Sequence, residues 1–235
     1  MEVTAAPLAC LDLDGTLVDS RGPFATAMRG ALAECGLPDR APATLHRFLG
    51  PPLEETAEAL TAEAVAAGTV VAAEAAATAD ALLHAYRRRY VAEGIPATVP
   101  VPGVPEALDR LRDDGWRLVL VTSKIRPAAL AVLATTGLDA RIAAVHAPGP
   151  EERHVPKARS LRAALAEHGD PDGARAAMVG DRHHDVDAAR ACAVPAVGVT
   201  WAGGREPELT AAGATVLVAA PAALPAALAR CLAGA

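Results

Sequence analysis

Lysine is nearly missing from this chain: only Lys124 and Lys157 occur among its 22 basic residues. Where arginine serves almost everywhere, a retained lysine asks what the wide planar guanidinium cannot do. A cramped place beside a phosphate and a carboxylate suits a compact point charge better. Aromatic residues make up 3% of the 235, too few for an extended base-stacking surface. The net charge of −6 argues against nucleic acid as a general partner. No apolar run approaches the ~20 residues that span a bilayer, so no membrane partner is expected. Met1-Glu2-Val3-Thr4-Ala5 lacks a basic region followed by an apolar core, so no signal peptide is expected. The four cysteines, Cys10, Cys35, Cys192 and Cys231, form no C-x-x-C pair. That pattern fits reduced, structural thiols and a cytoplasmic location.

What is present begins at Leu11-Asp12-Leu13-Asp14-Gly15-Thr16-Leu17. An apolar run from Leu8 to Leu13 reads as a buried strand, and period-two geometry puts Asp12 and Asp14 on one side of it. Gly15 permits a sharp exit. Two like charges this close in a poorly solvated place resist ionising together. A cation, a shared proton or water would relieve them, and a divalent metal supplies the cation.

The rest of the chain divides in two. Helical, Ala-rich stretches come first: Pro23 to Cys35, Leu53 to Ala67 after the stiff turn Gly50-Pro51-Pro52, and Val71 to Glu93. Arg87-Arg88-Arg89 near the end of the third reads as a solvated helix C-terminus. Ala97 to Gly103 reads as a linker. Strands and helices then alternate. Strands are expected at Arg117 to Thr122, Ile142 to His146, Ala176 to Val179, Ala196 to Thr200 and Thr215 to Val218. Helices are expected at Val104 to Asp113, Pro127 to Thr136, Lys157 to His168, Val186 to Cys192 and Ala222 to Leu232. Continuous apolar strands between helices indicate an α/β fold, a Rossmann-like parallel sheet with helices on both faces. The helical segment is then an insertion: a helical cap of residues 18–98, with residues 1–17 and 99–235 forming the α/β core.

Ligands of open parallel sheets bind beyond the carboxyl ends of the strands. Asp12 and Asp14, Thr122 and Ser123, and Asp181 with Asp185 are all expected there. Asp185 alone could be a helix N-terminal carboxylate. Asp181, directly after an apolar strand and a glycine, together with Asp12 offers two hard oxygen ligands of the kind Mg²⁺ takes. Thr122-Ser123-Lys124 is either a polar turn or a phosphate-binding one. Lys157, taken alone, reads as a surface lysine. His183 and His184 are adjacent and have no third His or Cys placed to complete a tetrahedral zinc site. They read as exposed or as orienting their loop.

With these four segments in order, the chain resembles the haloacid dehalogenase-like hydrolases. The match is Asp12-Leu13-Asp14-Gly15-Thr16, Thr122-Ser123-Lys124, Lys157, and Gly180-Asp181-Arg182-His183-His184-Asp185. More narrowly it is similar to the phosphoglycolate phosphatases and 5′-nucleotidase-like phosphatases, through Phe48-Leu49-Gly50-Pro51-Pro52-Leu53, Gly198 to Gly204 and Glu208 to Ala214. It departs from them at Ala158 after Lys157 and through residues 147–155. The resemblance implies a Mg²⁺-dependent phosphatase acting on a small phosphorylated molecule, a monomer or homodimer. Asp12 would be the nucleophile and Asp14 the general acid and base. Asp12, the backbone carbonyl of Asp14, and Asp181 would hold the metal, steadied by Asp185. Thr122, Ser123 and Lys157 would hold the phosphate, Lys157 also pairing with Asp12. Arg47, Phe48, Gly50 and Pro51 form a candidate specificity loop, though an ordinary interhelical turn with Phe48 in the cap core is the equal alternative. A phosphosugar mutase or a non-catalytic phosphate-binding module would share much of this pattern. A dehalogenase would need neither Asp14 nor a metal, and a phosphonate-cleaving enzyme would need a cap lysine, which residues 18–98 lack.

Overall fold

The structure, a computed structural model, describes residues 6–170 and 172–233; the N-terminal stretch read for a signal peptide lies outside them. Six parallel strands form the sheet. They are β1 (Leu8–Leu11), β4 (Arg117–Val121), β5 (Ala144–His146), β6 (Ala176–Gly180), β7 (Ala196–Val199) and β8 (Val216–Val218), in the order β5-β4-β1-β6-β7-β8. Two-residue strands β2 (Val18–Asp19) and β3 (Val99–Pro100) make a separate antiparallel ribbon. Helices α1 (Arg21–Glu34), α2 (Pro42–Leu45), α3 (Leu53–Ala66), α4 (Ala75–Arg89) and α5 (Ile95–Ala97) lie between the ribbon's strands. Then come α6 (Val104–Asp113), α7 (Arg126–Thr136), α8 (Lys157–Glu167), α9 (His183–Ala191), α10 (Glu206–Ala212) and α11 (Leu224–Ala233).

Strand pleating divides the core. Ala9, Leu11, Leu118, Leu120, Ala177 and Val179 face α6, α7 and α11. Leu8, Cys10, Val119, Val121, Ala176 and Met178 face α8, α9 and α10. This alternation in strands apolar on both sides is the mark of a sheet covered on both faces. The first cluster runs on through Leu17, Val18, Phe24 and Met28 into the helical segment, where α4 packs on α1 and α3. Burial pushes the Cys10 thiol up to about 12, so it stays protonated, as expected of a core cysteine.

Several boundaries differ from the sequence reading. β1 ends at Leu11, not Leu13; Asp12 and Asp14 therefore lie in the turn that follows, where the N–H groups of Leu17 and Val18 bond back to the Leu13 carbonyl. The expected linker contains β3, too short to show a pattern. The third expected helix, Val71 to Glu93, is broken: α4 ends at Arg89 and passes into a π-helical turn at Tyr90–Gly94 and then α5. α9 begins three residues before Val186, because the Asp185 side chain accepts the Arg182 N–H at 3.0 Å and closes its first turn. α2 and α10 were not anticipated; both are short and lack a full apolar period.

Candidate active site

The register of the sheet assembles the site. β1 pairs with β4 from Leu8↔Arg117 to Leu11↔Leu120, and with β6 from Leu8↔Ala176 to Leu11↔Val179. Asp12 therefore leaves the sheet beside Val121 and Gly180, and Thr122 and Asp181 follow one step later. The ladder continues far enough to fix Asp12, whose N–H donates to the Val179 carbonyl at 2.9 Å.

Asp12, Asp181 and Asp185 converge, each offering a carboxylate oxygen within 4.8 Å of the others, and all three are buried. Lys157, the first residue of α8, reaches into the same group. Its Nζ lies 2.8 Å from Asp12 Oδ1 and 2.5 Å from Asp185 Oδ1. The lysine is 7% exposed, so the surface reading it invites in isolation does not hold. Asp185 uses its other oxygen on the Arg182 N–H. It is at once the helix cap and part of the cluster.

Charge balance inside this group is poor. Burial pushes the Asp12 carboxyl up to about 7, against the pull of Lys157. Burial also raises Asp181 well above the usual carboxylate range, and the charges of Asp185 and Asp12 raise it further. Asp181 Oδ1 has no hydrogen-bond partner. Gly15 makes the close approach possible: its φ is +80°, and a Cβ there would stand 2.3 Å from Asp181 Oδ2. The donor set is oxygen only, the kind that hard divalent cations take.

Asp14 stands apart from the cluster. Its Oδ2 lies 3.1 Å from Lys124 Nζ, and its Oδ1 is buried without a partner. Lys124 also sits 4.1 Å from the centre of the Tyr90 ring. Thr122 is buried, and its Oγ1 accepts the Lys124 N–H at 3.2 Å. Asp12, Asp14, Thr122, Ser123, Phe48, Gly50 and Pro51 all line one cleft. Arg47 does not line it; its guanidinium lies 4.6 Å from the Phe48 ring centre and pairs with Glu63.

Arg87 and Glu54 are among the cleft residues that escaped the sequence reading. Arg87 is no solvated helix end: it lines the cleft and donates to Glu54 Oε1 at 2.8 Å. Arg88 and Arg89 do face outward, toward Glu34. A helical period linking Glu54 to α3's inner face was the one trace available. His183 accounts for itself as a loop-orienting group, with its N–H and Nδ1 on Glu208 Oε1 at 3.1 and 2.9 Å. Arg182 joins Glu208 at 2.8 Å and also donates to the Leu49 carbonyl, tying the α9 N-terminus to the loop of Gly50.

A family model described as "Haloacid dehalogenase-like hydrolase" matches residues 10–199. The chain is 33% identical to a phosphoglycolate phosphatase of Agrobacterium fabrum, over 83% of this chain and 81% of that one. It is also 33% identical to the tyrosine-protein kinase PtkA of Mycobacterium tuberculosis, over 89% of this chain and 67% of that one. Among solved structures, a predicted phosphatase from Clostridium acetobutylicum superposes with a TM-score of 0.83 at 26% identity, over 97% of this chain and 100% of that one.

Proposed function

The chain belongs to the haloacid dehalogenase-like hydrolase family, and from that premise we propose that it is a Mg²⁺-dependent phosphatase of small-molecule phosphate monoesters, working through an aspartyl phosphate. The observation that carries this reading is the buried meeting of three carboxylates around a single ammonium, with Asp181 Oδ1 left unpartnered. Such a group needs a further cation, and its all-oxygen donors fit Mg²⁺. Asp12, Asp181 and the backbone carbonyl of Asp14 would hold the ion, with Asp185 steadying the set. When bound, Mg²⁺ neutralises the charge of a phosphate facing an anionic nucleophile.

The chain's own residues then divide the work. An Asp12 oxygen attacks phosphorus while the bond from phosphorus to the leaving oxygen breaks, and Asp14 gives that oxygen a proton. Asp14 next takes a proton from the water that attacks the aspartyl phosphate. Phosphate leaves and the Asp12 carboxylate is restored. Thr122, Ser123 and Lys157 hold the phosphate oxygens, and Lys157 draws Asp12 toward its ionised form against the effect of burial. Residues 18–98 act as a cap over a core of residues 1–17 and 99–235, shielding the first step from water. Phe48, Gly50 and Pro51 belong to its specificity surface, with Arg47 stiffening Phe48 from behind.

The test is phosphate release from an aryl phosphate with Mg²⁺, with and without chelator, and acid-quench trapping of a phosphoenzyme. Asp12→Asn is expected to abolish trapping and to lower kcat by more than ~10³. Turnover that survives either the chelator or this substitution would sink the assignment. The kinship with a protein named as a tyrosine kinase supports a second reading, since an aspartyl phosphate can also pass its phosphoryl group to a hydroxyl. A phosphorylated product in place of free phosphate would favour it.

A further inference from the structure

We propose that the site takes the phosphate monoester of an uncharged, largely apolar alcohol rather than of a phosphorylated carboxylic acid. This rests on the phosphatase reading and adds the substrate class to it. A carboxylate on the leaving group loses its water inside the cleft and needs a cation to receive it. Among the described residues, two cations line the cleft, Lys124 and Arg87, and neither is free. Lys124 lies 3.1 Å from Asp14 Oδ2, against the face of Tyr90. Arg87 donates to Glu54 Oε1 at 2.8 Å, and Glu54 is only 6% exposed. Arg47, on the neighbouring loop, is turned to Glu63. A second anion would meet Arg87 already paired with Glu54 and Lys124 already held between Asp14 and the Tyr90 ring, with Asp12 close by.

The rest of the wall points the same way. Phe24, Phe48, Leu53, Tyr86 and Val91 supply an apolar surface facing the phosphate end. An aromatic or aliphatic body fits this wall.

Three primary esters test this with Mg²⁺ present: 2-phosphoglycolate, its near-isosteric amide 2-phosphoglycolamide, and benzyl phosphate. The expected kcat/KM is at least about tenfold higher for the amide than for the acid, with benzyl phosphate equal to the amide or better. Glu54→Gln keeps the side-chain shape and releases the Arg87 charge. It should shift the acid-to-amide ratio toward the acid by about tenfold. An acid hydrolysed as well as its amide by the wild type would overturn the inference while leaving the phosphatase reading intact. So would a ratio that Glu54→Gln does not move. Phosphate release from none of the three with any divalent cation would overturn the phosphatase reading, and the substrate class with it.

Discussion

Asp181 and Glu208 show how far a carboxylate's behaviour depends on its neighbours. Asp181 is raised by burial and by two like charges, and Asp12 is pushed up to about 7 beside it. The unfolded chain releases these protons near pH 4, whereas the metal-free native state keeps them to higher pH. The native state therefore binds more protons between pH ~4 and ~7, and its stability falls as pH rises through that window. Without metal, the protein is expected to melt lower at pH 7.5 than at pH 5.5, and Asp181→Asn to melt above wild type at pH 7.5. A relief of ~1–2 kcal/mol corresponds to roughly 2–8 °C at this size. Calorimetry with chelator and with Mg²⁺ reads both. An Asp181→Asn protein that Mg²⁺ stabilises as much as it does wild type would remove Asp181 from the ligand set. Glu208 is the reverse case. Its burial is outweighed by hydrogen bonds from Arg182 and His183, which hold it down at about 2. Its contribution is complete above pH ~4.5 and is lost as pH falls toward 2. The destabilisation caused by Glu208→Gln, followed by urea titration, should shrink between pH 5.5 and pH 3.

At the scale of the element, the π-helical turn Tyr90–Gly94 is the departure with consequences. Tyr90, its first residue, sits over Lys124 and stacks on Tyr86 one α-helical turn earlier, ring centres 5.5 Å apart. Gly94 leaves the room: a Cβ there would stand 2.4 Å from Tyr90 Cδ2. Gly94→Ala is expected to displace the ring, to lower kcat by about three- to tenfold and to lower Tm by a few degrees. Steady-state kinetics and a melt check it, and an unchanged kcat would detach the turn from catalysis. The α9 N-terminus has an analogous reach. Arg182→Ala removes the donor to the Leu49 carbonyl and is expected to raise KM more than it lowers kcat, because it loosens the Leu49–Gly50 segment that lines the cleft.

For the molecule as a whole, stability and activity rest on different layers. Leu120 is fully buried in β4, in the sheet face packed by α6, α7 and α11. Leu120→Ala is expected to destabilise by about 3 kcal/mol, or roughly 6–12 °C in Tm, with KM nearly unchanged below the transition. A large change in KM would mean that the sheet transmits strain to its carboxyl ends. The helical segment joins the sheet's first core cluster through Leu17, Val18 and Phe24 and adds polar ties at Arg153–Asp80 and Arg182–Leu49. It is held by packing as well as by its two-strand ribbon.

By itself the sequence determined the parallel sheet, the helical insertion and the positions of Asp12, Asp14, Thr122, Asp181 and Asp185. Apolar runs bounded by polar residues are local patterns, and sheet topology sends every strand end to the same edge. Only the tertiary structure decided the pairings. Arg87, and Lys157 apart from the family resemblance that pairs it with Asp12, read as surface cations because nothing within a helical turn of either names a partner; Asp12 lies 145 residues before Lys157 and Glu54 lies 33 residues before Arg87. The split of Asp14 from the other carboxylates, and the seating of Lys124 on the Tyr90 ring, likewise depend on atoms brought together across the fold. Periodicity reports which face of an element is buried, whereas a buried charge is settled by whichever opposite charge the packing delivers to it.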